Sequence, residues 1–580
     1  MHEHFPGRRA HALRPVLHIL VPLLAAGLLP GSAVAASLTG TVTAGGSPLD
    51  GAIVTVFDER GRMESVYTDG TSHYALTTKL AGEIELRVRK RYHRDELRRI
   101  ALGASDTLTL DVALSALSDP RELSDDHPSL SHFSRIAFDQ DEKAPYSRGN
   151  FARDCLSCHS LGNEFTRWPR PAAGWVPTVQ RMHGYLANAD MAAIEHRAEM
   201  LSKAFDGSLV SSRPEIPIDP LIHGATIRQW KLPGTVVPHD AEYSPRYDKV
   251  FMSDMFAGEV LETDLKSGLT VHFKLPDEGA GPGGEFTKRG LPAPYGLTVA
   301  RAPHSLAEGP DGKFYLTDSI GAAVTVFDPR TREFKSHAVG GTALYPHTVR
   351  TDKQGIVWFT IAFSNQVGRF DPKTGETKLI DLPDTPSLSA PGVPIPYGID
   401  VHPVDGGVWY SKLASDKLGR IDPATLEVKE YDSPVRGPRR QRFDRAGMLW
   451  VTGFAEGAIA KIDTAQWRYE IYALPQYAPG EVPAPYALAV NPVTQEIWIN
   501  DTMLDVAWRF LPQEQRFIAY PLPTKGSYTR DFSFTPEGWA CTSNNPIPAA
   551  ALEGGVPELI CIDPGPASAS AVAALDDAAR

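Results

Sequence analysis

Cysteine is scarce in this sequence, with four residues in a chain of 580. Only one pair has the spacing C-x-x-C, so a zinc site built from two such pairs lacks its second half. After the first 35 residues, no apolar run approaches the 20 or so residues that a membrane span needs. Basic residues are outnumbered, and the net charge of −12 argues against nucleic acid and anionic membranes as partners.

The N-terminal residues 1–35 have the composition of an export signal. Arginines precede an apolar core at 16–29, "VLHILVPLLAAGLL", and Ala33-Val34-Ala35 forms a small-residue cleavage site. The core is short for a membrane span, although an uncleaved anchor is the alternative. We therefore expect cleavage of the signal and a mature protein in the periplasm, or in an equivalent oxidising compartment.

Two of the four cysteines lie in "RDCLSCHS", where Cys155, Cys158 and His159 form the motif C-x-x-C-H. Two thiols at this spacing can add to the vinyl groups of one haem, and the adjacent histidine then faces the iron. The alternatives are a chance match, half of a zinc site and a thioredoxin-like redox pair. The polar, loop-like flanks lack the βαβ context of the redox pair. The motif therefore predicts a covalently bound haem c, with His159 as an iron ligand.

Short alternating runs separated by Gly, Pro and Asp turns fill residues 37–117 and predict a small antiparallel β-sandwich. Three segments carry the pattern G-x-V, P-L-x-G-A-x-V-x-V and T-D-x-x-x-x-Y-x-L: Gly40–Val42, Pro48 to Val56 and Thr68 to Leu76. This part resembles the carboxypeptidase-regulatory-like family. The resemblance implies a structural or docking module, and no catalytic constellation is visible in it.

Residues 118–208 contain the haem motif and predict a short α-helical module. The run from Asp190 to Phe205 has a helical apolar period. The second iron ligand of a haem c is commonly Met or His. The order C-x-x-C-H, Arg, Trp, Met resembles small cytochrome c modules, which favours Met182 with His183 next. The full set of candidates is Met182, His183, Met191, His196 and Met200.

A unit of 40–50 residues recurs over residues 225–564. Each unit starts with Pro and a large polar residue, and then has an apolar strand, a turn, an apolar-Trp strand and two further strands. Seven such units predict a mainly β fold dominated by a seven-bladed β-propeller, and an open β-solenoid would need a shorter period. The unit starts are Pro238-His239, Pro303-His304, Pro346-His347, Pro396-Tyr397, Pro438-Arg439, Pro485-Tyr486 and a degenerate Thr529-Arg530.

The best units read "YPHTV…GIVWFTIAFSNQVGRFD" and "PYGID…GGVWYSKLASDKLGRID". The region resembles the streptogramin lyase (virginiamycin B lyase) family of seven-bladed propellers. The resemblance assigns a catalytic role to His304, His347 and Tyr397. The family's Glu, however, falls on Tyr345, which cannot replace a carboxylate in binding Mg²⁺. The resemblance therefore implies the fold more strongly than the lyase activity.

Equivalent positions in successive blades lie at the same height around a propeller axis. The blade-start residues are therefore expected to ring one mouth of the channel: His239, His304, His347, Tyr397, Arg439, Tyr486 and Arg530. One interpretation is a wet channel lined by polar groups. The other is a site in which the imidazoles hold a second metal and the two arginines face an anion.

Cys541 and Cys561 fall on successive strands of the last unit, which predicts a cross-strand disulfide, with two buried free thiols as the alternative. Residues 565–580 are a low-complexity tail, for which we expect disorder.

Three functions are compatible with these features. The first is electron transfer by a periplasmic c-type haem protein, coupled to binding or oxidation of a small molecule at the propeller mouth. Its partners would be that small-molecule ligand and a periplasmic electron-transfer protein. The second is a carbon–oxygen lyase, and the third is a non-catalytic binding or assembly protein.

Overall fold

A computed structural model describes residues 35–184, 190–388, 392–545, 547, 549–555 and 557–565. The predicted export signal, apart from Ala35, and the predicted tail, apart from Gly565, lie outside these residues. Within them, no helix is both long and apolar enough to cross a membrane.

The N-terminal region is built from short strands whose side chains alternate between the core and solvent. In the strand His73–Thr78, for example, exposed and buried residues alternate throughout. Leu38, Val54 and Leu86 belong to the shared core. The strands are β1 (Ala36–Ala44), β2 (Ser47–Pro48), β3 (Ile53–Phe57), β4 (Arg62–Tyr67), β5 (His73–Thr78), β6 (Gly82–Arg89), β7 (His93–Arg94), β8 (Glu96–Leu102), β9 (Thr107–Thr109) and β10 (Val112–Ala116).

Helices occupy the segment that contains the C-x-x-C-H motif. The predicted helix at 190–205 is present as α5, and its N-cap Asp190 accepts hydrogen bonds from the backbone N–H groups of Ala192 and Ala193. The apolar side chains of these helices, such as Phe151 and Ile194, share one core with Leu488 and Met503 of the following β-region. The helices are α1 (Pro120–Asp125), α2 (Ser129–Phe133), α3 (Arg148–Cys155), α4 (Ala172–Gly184) and α5 (Met191–Ala204).

Strand β11 (Thr226–Lys231) begins the repeated region, and six four-stranded antiparallel sheets follow within the described residues. Their first strands contact one another in sequence order, as in the blades of a propeller. The sheets are β12–β15 (Pro238–Ser244, Lys249–Asp254, Glu259–Thr263, Thr270–Lys274), β16–β19 (Pro303–Glu308, Phe314–Asp318, Ala323–Asp328, Glu333–Ala338), β20–β23 (Pro346–Thr351, Val357–Ile361, Gln366–Asp371, Glu376–Asp381), β24–β27 (Pro396–Val401, Val408–Lys412, Lys417–Ile421, Val428–Asp432), β28–β31 (Pro438–Phe443, Leu449–Gly453, Ala458–Asp463, Arg468–Ala473) and β32–β35 (Pro485–Val490, Ile497–Asp501, Val506–Leu511, Arg516–Pro521).

Five of these six sheets share the chemistry of their outer turns. An aspartate at the end of the third strand, or directly after it, accepts a hydrogen bond from the backbone N–H two residues later, and this arrangement stabilises a tight turn. The repeated "D-x-x-T"-like sequence thus specifies the same hairpin turn in each of these five sheets. The aspartates are Asp264, Asp328, Asp371, Asp422 and Asp463.

The last sheet joins the two ends of the repeated region to the N-terminal strands. Its order is β36–β37–β38–β11–β4–β3–β6–β8, so β11 pairs with β38 on one side and with β4 on the other. The N-terminal strands β3, β4, β6 and β8 and the propeller-like region therefore share one sheet. The remaining elements are α6 (Gly284–Lys288), β36 (Ser533–Phe534), β37 (Ala540–Asn544), α7 (Ala549–Glu553) and β38 (Glu558–Asp563).

The predicted disulfide between Cys541 and Cys561 is present in this sheet. The two residues are direct partners in the antiparallel pairing of β37 and β38, with their Cα atoms 4.0 Å apart. The bond therefore links the two C-terminal strands to each other, next to β11.

Candidate functional site

The first strand of each four-stranded sheet has an irregular start. It begins at the predicted proline, and the register with the second strand then shifts, as between Pro303 and Leu306 or between Pro346 and Val349. The same shift occurs in all six of these sheets in the described part of the chain. A bulge of this kind releases the next residue from regular pairing and redirects its side chain.

The redirected imidazoles of neighbouring blades pack against one another. The ring centroids of His239 and His304 lie 3.8 Å apart, and those of His304 and His347 lie 4.0 Å apart. Tyr397 continues the row at 4.0 Å from His347. The structure therefore brings together the residues that the sequence placed at the starts of four consecutive blades.

Burial keeps these imidazoles neutral. Burial lowers the pKa of His239 to about 3, and it lowers the pKa values of His304 and His347 well below 6.5. The Nδ1 atom of His239 lies 2.9 Å from Asp240 Oδ1, and that of His347 lies 2.9 Å from Thr348 Oγ1. The planes of neighbouring imidazole rings are tilted by 44° to each other. Among the described residues, no group of three or more His, Cys, Asp or Glu side chains can hold a metal ion.

Tyrosine and arginine side chains complete the ring. Arg439 Nη2 donates to Tyr397 Oη at 2.6 Å, and the hydroxyls of Tyr397 and Tyr486 lie 2.8 Å apart. The guanidinium carbon of Arg439 also lies 3.7 Å from the ring centroid of Tyr486. Arg530 stacks over Tyr528 at 5.0 Å. The seven predicted mouth residues thus lie together, with the imidazoles on one side and the guanidinium groups on the other.

A buried ion network, which the sequence did not reveal, lies next to the seven mouth residues. Arg440 Nη1 and Nη2 donate to the two carboxylate oxygens of Asp240 at 2.9 and 2.8 Å, and Nη1 also lies 2.7 Å from Asp531. Each of these residues directly follows a blade-start residue. All three are buried. The mouth residues therefore lie directly beside a buried ion network that joins three of the sheets.

The C-x-x-C-H segment contacts the mouth and the residues beside it. Tyr528 Oη donates to the carbonyl of Leu156 at 2.6 Å, and Asn545 Nδ2 donates to that of Cys158 at 3.4 Å. Arg439 contacts Ser157 through Nη1 and Nη2, at 3.4 and 3.5 Å from its hydroxyl and carbonyl oxygens. The motif is therefore in direct contact with the mouth residues, which no spacing in the sequence indicated.

The two motif cysteines are free thiols and half-buried. Burial raises the pKa of Cys155 to about 12, and burial also raises the pKa of Cys158 against the opposing charge of Arg530. A redox-active C-x-x-C pair needs a lowered thiol pKa, so this environment disfavours the thioredoxin-like alternative.

The imidazole of His159 is oriented by one backbone contact. Its Nδ1 lies 2.8 Å from the carbonyl oxygen of Ser160, which can only accept, so Nδ1 carries the proton. The lone pair is then on Nε2, as in histidines that bind a metal through Nε2. The residues of the motif thus fit the attachment of a haem c.

The candidates for the second iron ligand differ in their surroundings. Met182 is half-buried on α4. The neighbouring His183 Nε2 accepts a hydrogen bond from Arg197 Nη1 at 2.8 Å, so its lone pair is already used. Met191 and His196 are exposed, and Met200 is buried in the helical core.

Tyr345 occupies the place where the sequence comparison put the catalytic Glu of the lyases. Its buried ring stacks on Phe363 at 4.8 Å and lies 5.8 Å from His304 and 6.0 Å from His347. The phenol is therefore next to the imidazole row. Its pKa is raised by burial, so the group stays uncharged.

Other acidic residues near this face have structural roles. Asp254 accepts backbone N–H bonds from Val236 and Val237, and Asp318 accepts them from Ala302 and Gly321. These carboxylates hold the loops between blades.

Residues 295–527 match the Virginiamycin B lyase family. The match covers the part of the chain that contains His304, His347, Tyr397, Arg439 and Tyr486, and it agrees with propeller-like blades of four-stranded sheets.

Solved structures with a similar fold include virginiamycin B lyase from Staphylococcus aureus, at 16% identity, covering 58% of this chain and 99% of that chain with a TM-score of 0.46. A streptogramin B lyase structure is 18% identical and covers 58% of this chain and 97% of its own chain, with a TM-score of 0.47. Kuenenia stuttgartiensis hydrazine synthase is 15% identical and covers 54% of this chain and 94% of its own chain, with a TM-score of 0.42. No curated protein sequence matches the chain.

Proposed function

We propose that this chain is an exported, periplasmic c-type haem protein that transfers electrons and binds or oxidises a small molecule at the mouth of a seven-bladed propeller. The observation that supports it most is the direct contact of the C-x-x-C-H segment with the mouth, through Tyr528 to Leu156 and Arg439 to Ser157. The last sheet, β36–β37–β38–β11, would be the seventh blade.

Cys155 and Cys158 would hold the haem covalently, with His159 and Met182 as the iron ligands. A bound haem c would supply one-electron redox chemistry at this end of the channel. The thiols that would carry it belong to the segment that contacts the mouth, so a ligand on the mouth residues would lie close to the haem. This proximity is the reason to favour a redox function over an accessory haem.

The mouth residues would select the ligand. Arg439 and Arg530 favour a group that carries negative charge, since guanidinium groups bind carboxylates and related anions well. The neutral imidazoles of His304 and His347 and the hydroxyl of Tyr397 would orient it by hydrogen bonds. We include no second metal at the mouth, because the described residues contain no group of three or more His, Cys, Asp or Glu side chains placed to hold one.

The test is expression in a host that can attach haem c, followed by a pyridine haemochrome spectrum of the periplasmic protein. We expect one covalent c-type haem per chain. The variant Cys155→Ser with Cys158→Ser should lose it, whereas His196→Gln, which removes an exposed imidazole, should keep it. A wild-type protein without c-type haem in that host would overturn the proposal.

A second candidate is a streptogramin-lyase-like carbon–oxygen lyase, which the family match over residues 295–527 favours. His304, His347 and Tyr397 are adjacent, as that function would require. The ring of Tyr345 supplies no carboxylate for Mg²⁺, so we place this function second. A non-catalytic binding or assembly role is the third alternative.

A further inference from the structure

Two cations of the mouth are buried without an acidic partner. Arg439 is fully buried and Arg530 is 4% exposed. Within the described residues, neither forms an ion pair with a carboxylate, and the Nε atom of each has no hydrogen-bond partner. Arg440, in contrast, is neutralised by Asp240 and Asp531. Burying an unpaired charge is costly, so the mouth favours a negative group close to Arg439 and Arg530.

Tyr486 lies between these cations. Its ring centroid is 3.7 Å from the guanidinium carbon of Arg439 and 6.0 Å from that of Arg530. Its hydroxyl lies 2.8 Å from the hydroxyl of Tyr397, which can donate a hydrogen bond to it. The titratable and charged side chains that interact with Tyr486 from the elements packed around it are Tyr345, Tyr397, Arg439, Arg440, Tyr528 and Arg530.

The three tyrosines of this cluster respond differently to the same burial. Burial alone would raise the pKa of Tyr486, but the charges of Arg439, Arg530 and Arg440 outweigh it and lower the pKa below 10. Burial raises the pKa of Tyr397 and of Tyr528 well above 10. The geometry agrees, because Tyr397 Oη already accepts a hydrogen bond from Arg439 Nη2 at 2.6 Å, which leaves the Tyr397 O–H to donate to Tyr486.

We propose that Tyr486 is the phenolate counter-ion of Arg439 and Arg530, and that it accepts a proton from a weakly acidic O–H or N–H group of a ligand bound at the mouth. In this step the O–H or N–H bond of the ligand breaks and the phenol O–H bond of Tyr486 forms. The ligand is left as an anion beside the two guanidinium groups, and no electron is transferred. The choice of ligand rests on the proposed function of the mouth, whereas the ionisation of Tyr486 does not.

The ionisation is measured by pH titration of the near-ultraviolet phenolate band in the folded haem-containing protein, as a difference spectrum against Tyr486→Phe in the same oxidation state. We expect one phenolate equivalent to titrate below the ordinary tyrosine pKa of about 10. That equivalent should be absent from Tyr486→Phe and present in the matched control Tyr528→Phe. An early equivalent that survives in Tyr486→Phe, or no early equivalent in the wild type, overturns the assignment.

The variant Arg439→Gln tests whether the charge of Arg439 lowers the pKa of Tyr486. Because it leaves Tyr486 in place, it can also be used if Tyr486→Phe does not fold. This variant should move the early equivalent to a higher pH, and an unchanged titration would contradict the role of Arg439.

Proton transfer is tested with succinimide, an imide with a weakly acidic N–H and little near-ultraviolet absorbance. Saturating succinimide at fixed pH should remove the Tyr486 phenolate band. A phenolate band that persists at all succinimide concentrations would contradict proton transfer from a ligand, but not the ionisation of Tyr486. The haemochrome spectrum tests the presence of haem independently.

Discussion

Arg440 binds both carboxylate oxygens of Asp240 across the axis of the propeller-like region, although the two residues are 200 positions apart in the chain. The pair is bidentate, with N–O distances of 2.9 and 2.8 Å, and is buried on both sides. It ties the first four-stranded sheet to the fifth. Asp531, two residues before β36, extends the link towards the last sheet, so one ion network connects three sheets.

Loss of this ion network should lower the stability of the folded protein. Asp531→Ala removes the carboxylate that contacts Arg440, Arg442 and Arg350 and leaves buried positive charge unpaired. We expect the free energy of unfolding to fall by about 3–5 kcal/mol, measured by urea denaturation. The control Asp432→Ala removes the exposed partner of Lys417 and should cost about 1 kcal/mol or less. Equal losses in both variants would contradict the role of Asp531.

The buried imidazole row should make stability depend on pH through His304. Burial, with repulsion from His239 and His347, keeps the pKa of folded His304 well below 6.5. The unfolded chain binds a proton at this residue as the pH falls through 6.5, and the folded chain does not. His304 therefore contributes stability that is fully present above pH 6.5 and is lost on acidification, by up to about 1.4 kcal/mol per pH unit.

The measurement compares wild type with His304→Gln by urea denaturation at several pH values between 7 and the acid limit of folding. The stability advantage of the wild type should shrink as the pH falls. In the control His196→Gln, which changes an exposed residue, the difference should stay constant. Parallel profiles of wild type and His304→Gln would rule out a neutral buried His304.

The second iron ligand is tested by Met182→Ala. A ferric haem with Met and His ligands has a weak absorption band near the red edge of the visible, which a bis-His haem lacks. Met182→Ala should remove this band and lower the reduction potential, because Met ligation raises it. Met191→Ala, on an exposed site at the start of α5, should leave both unchanged. A band and potential that survive in Met182→Ala would assign the ligand to another residue.

Lyase chemistry is tested directly with a streptogramin B substrate. We expect no efficient ring opening, with or without Mg²⁺, because Tyr345 is an uncharged phenol where the family has a carboxylate. Product formation is followed by chromatography against a true lyase as positive control. Mg²⁺-dependent turnover at a comparable rate would show that another carboxylate replaces the missing Glu.

Repetition made much of the fold predictable. Each Pro-His or Pro-Tyr start coincides with the first residue of a strand, and the residues after these prolines meet at one mouth because the same bulge recurs in each blade. The disulfide of Cys541 and Cys561 was predictable since the two cysteines lie on neighbouring strands of one unit.

Contacts between distant, non-repeated positions were not predictable. The residue after each blade start differs from blade to blade, so nothing in the repeat identifies Arg440 and Asp240 as partners. Strands β4 and β11 pair with each other, but their alternation of apolar and polar residues is shared by many other strands of the chain. The sequence therefore does not identify them as partners. The contact of Ser157 with Arg439 depends on how the helices pack on the blades, and spacing in the sequence does not encode that packing.

The shared eight-stranded sheet determines how this protein can be divided. Strand β11 has hydrogen-bonded partners on both sides, and Ile53 and Tyr67 share a core with Ile227 and Trp498. A truncated chain that begins at residue 225 would retain every repeat but expose the edge of β11, together with apolar side chains normally covered by β3 and β4. Such an edge pairs readily with a second molecule. The N-terminal strands thus protect the edge of β11 from pairing with a second molecule. Limited proteolysis should therefore release no soluble fragment that contains the repeats but lacks these strands.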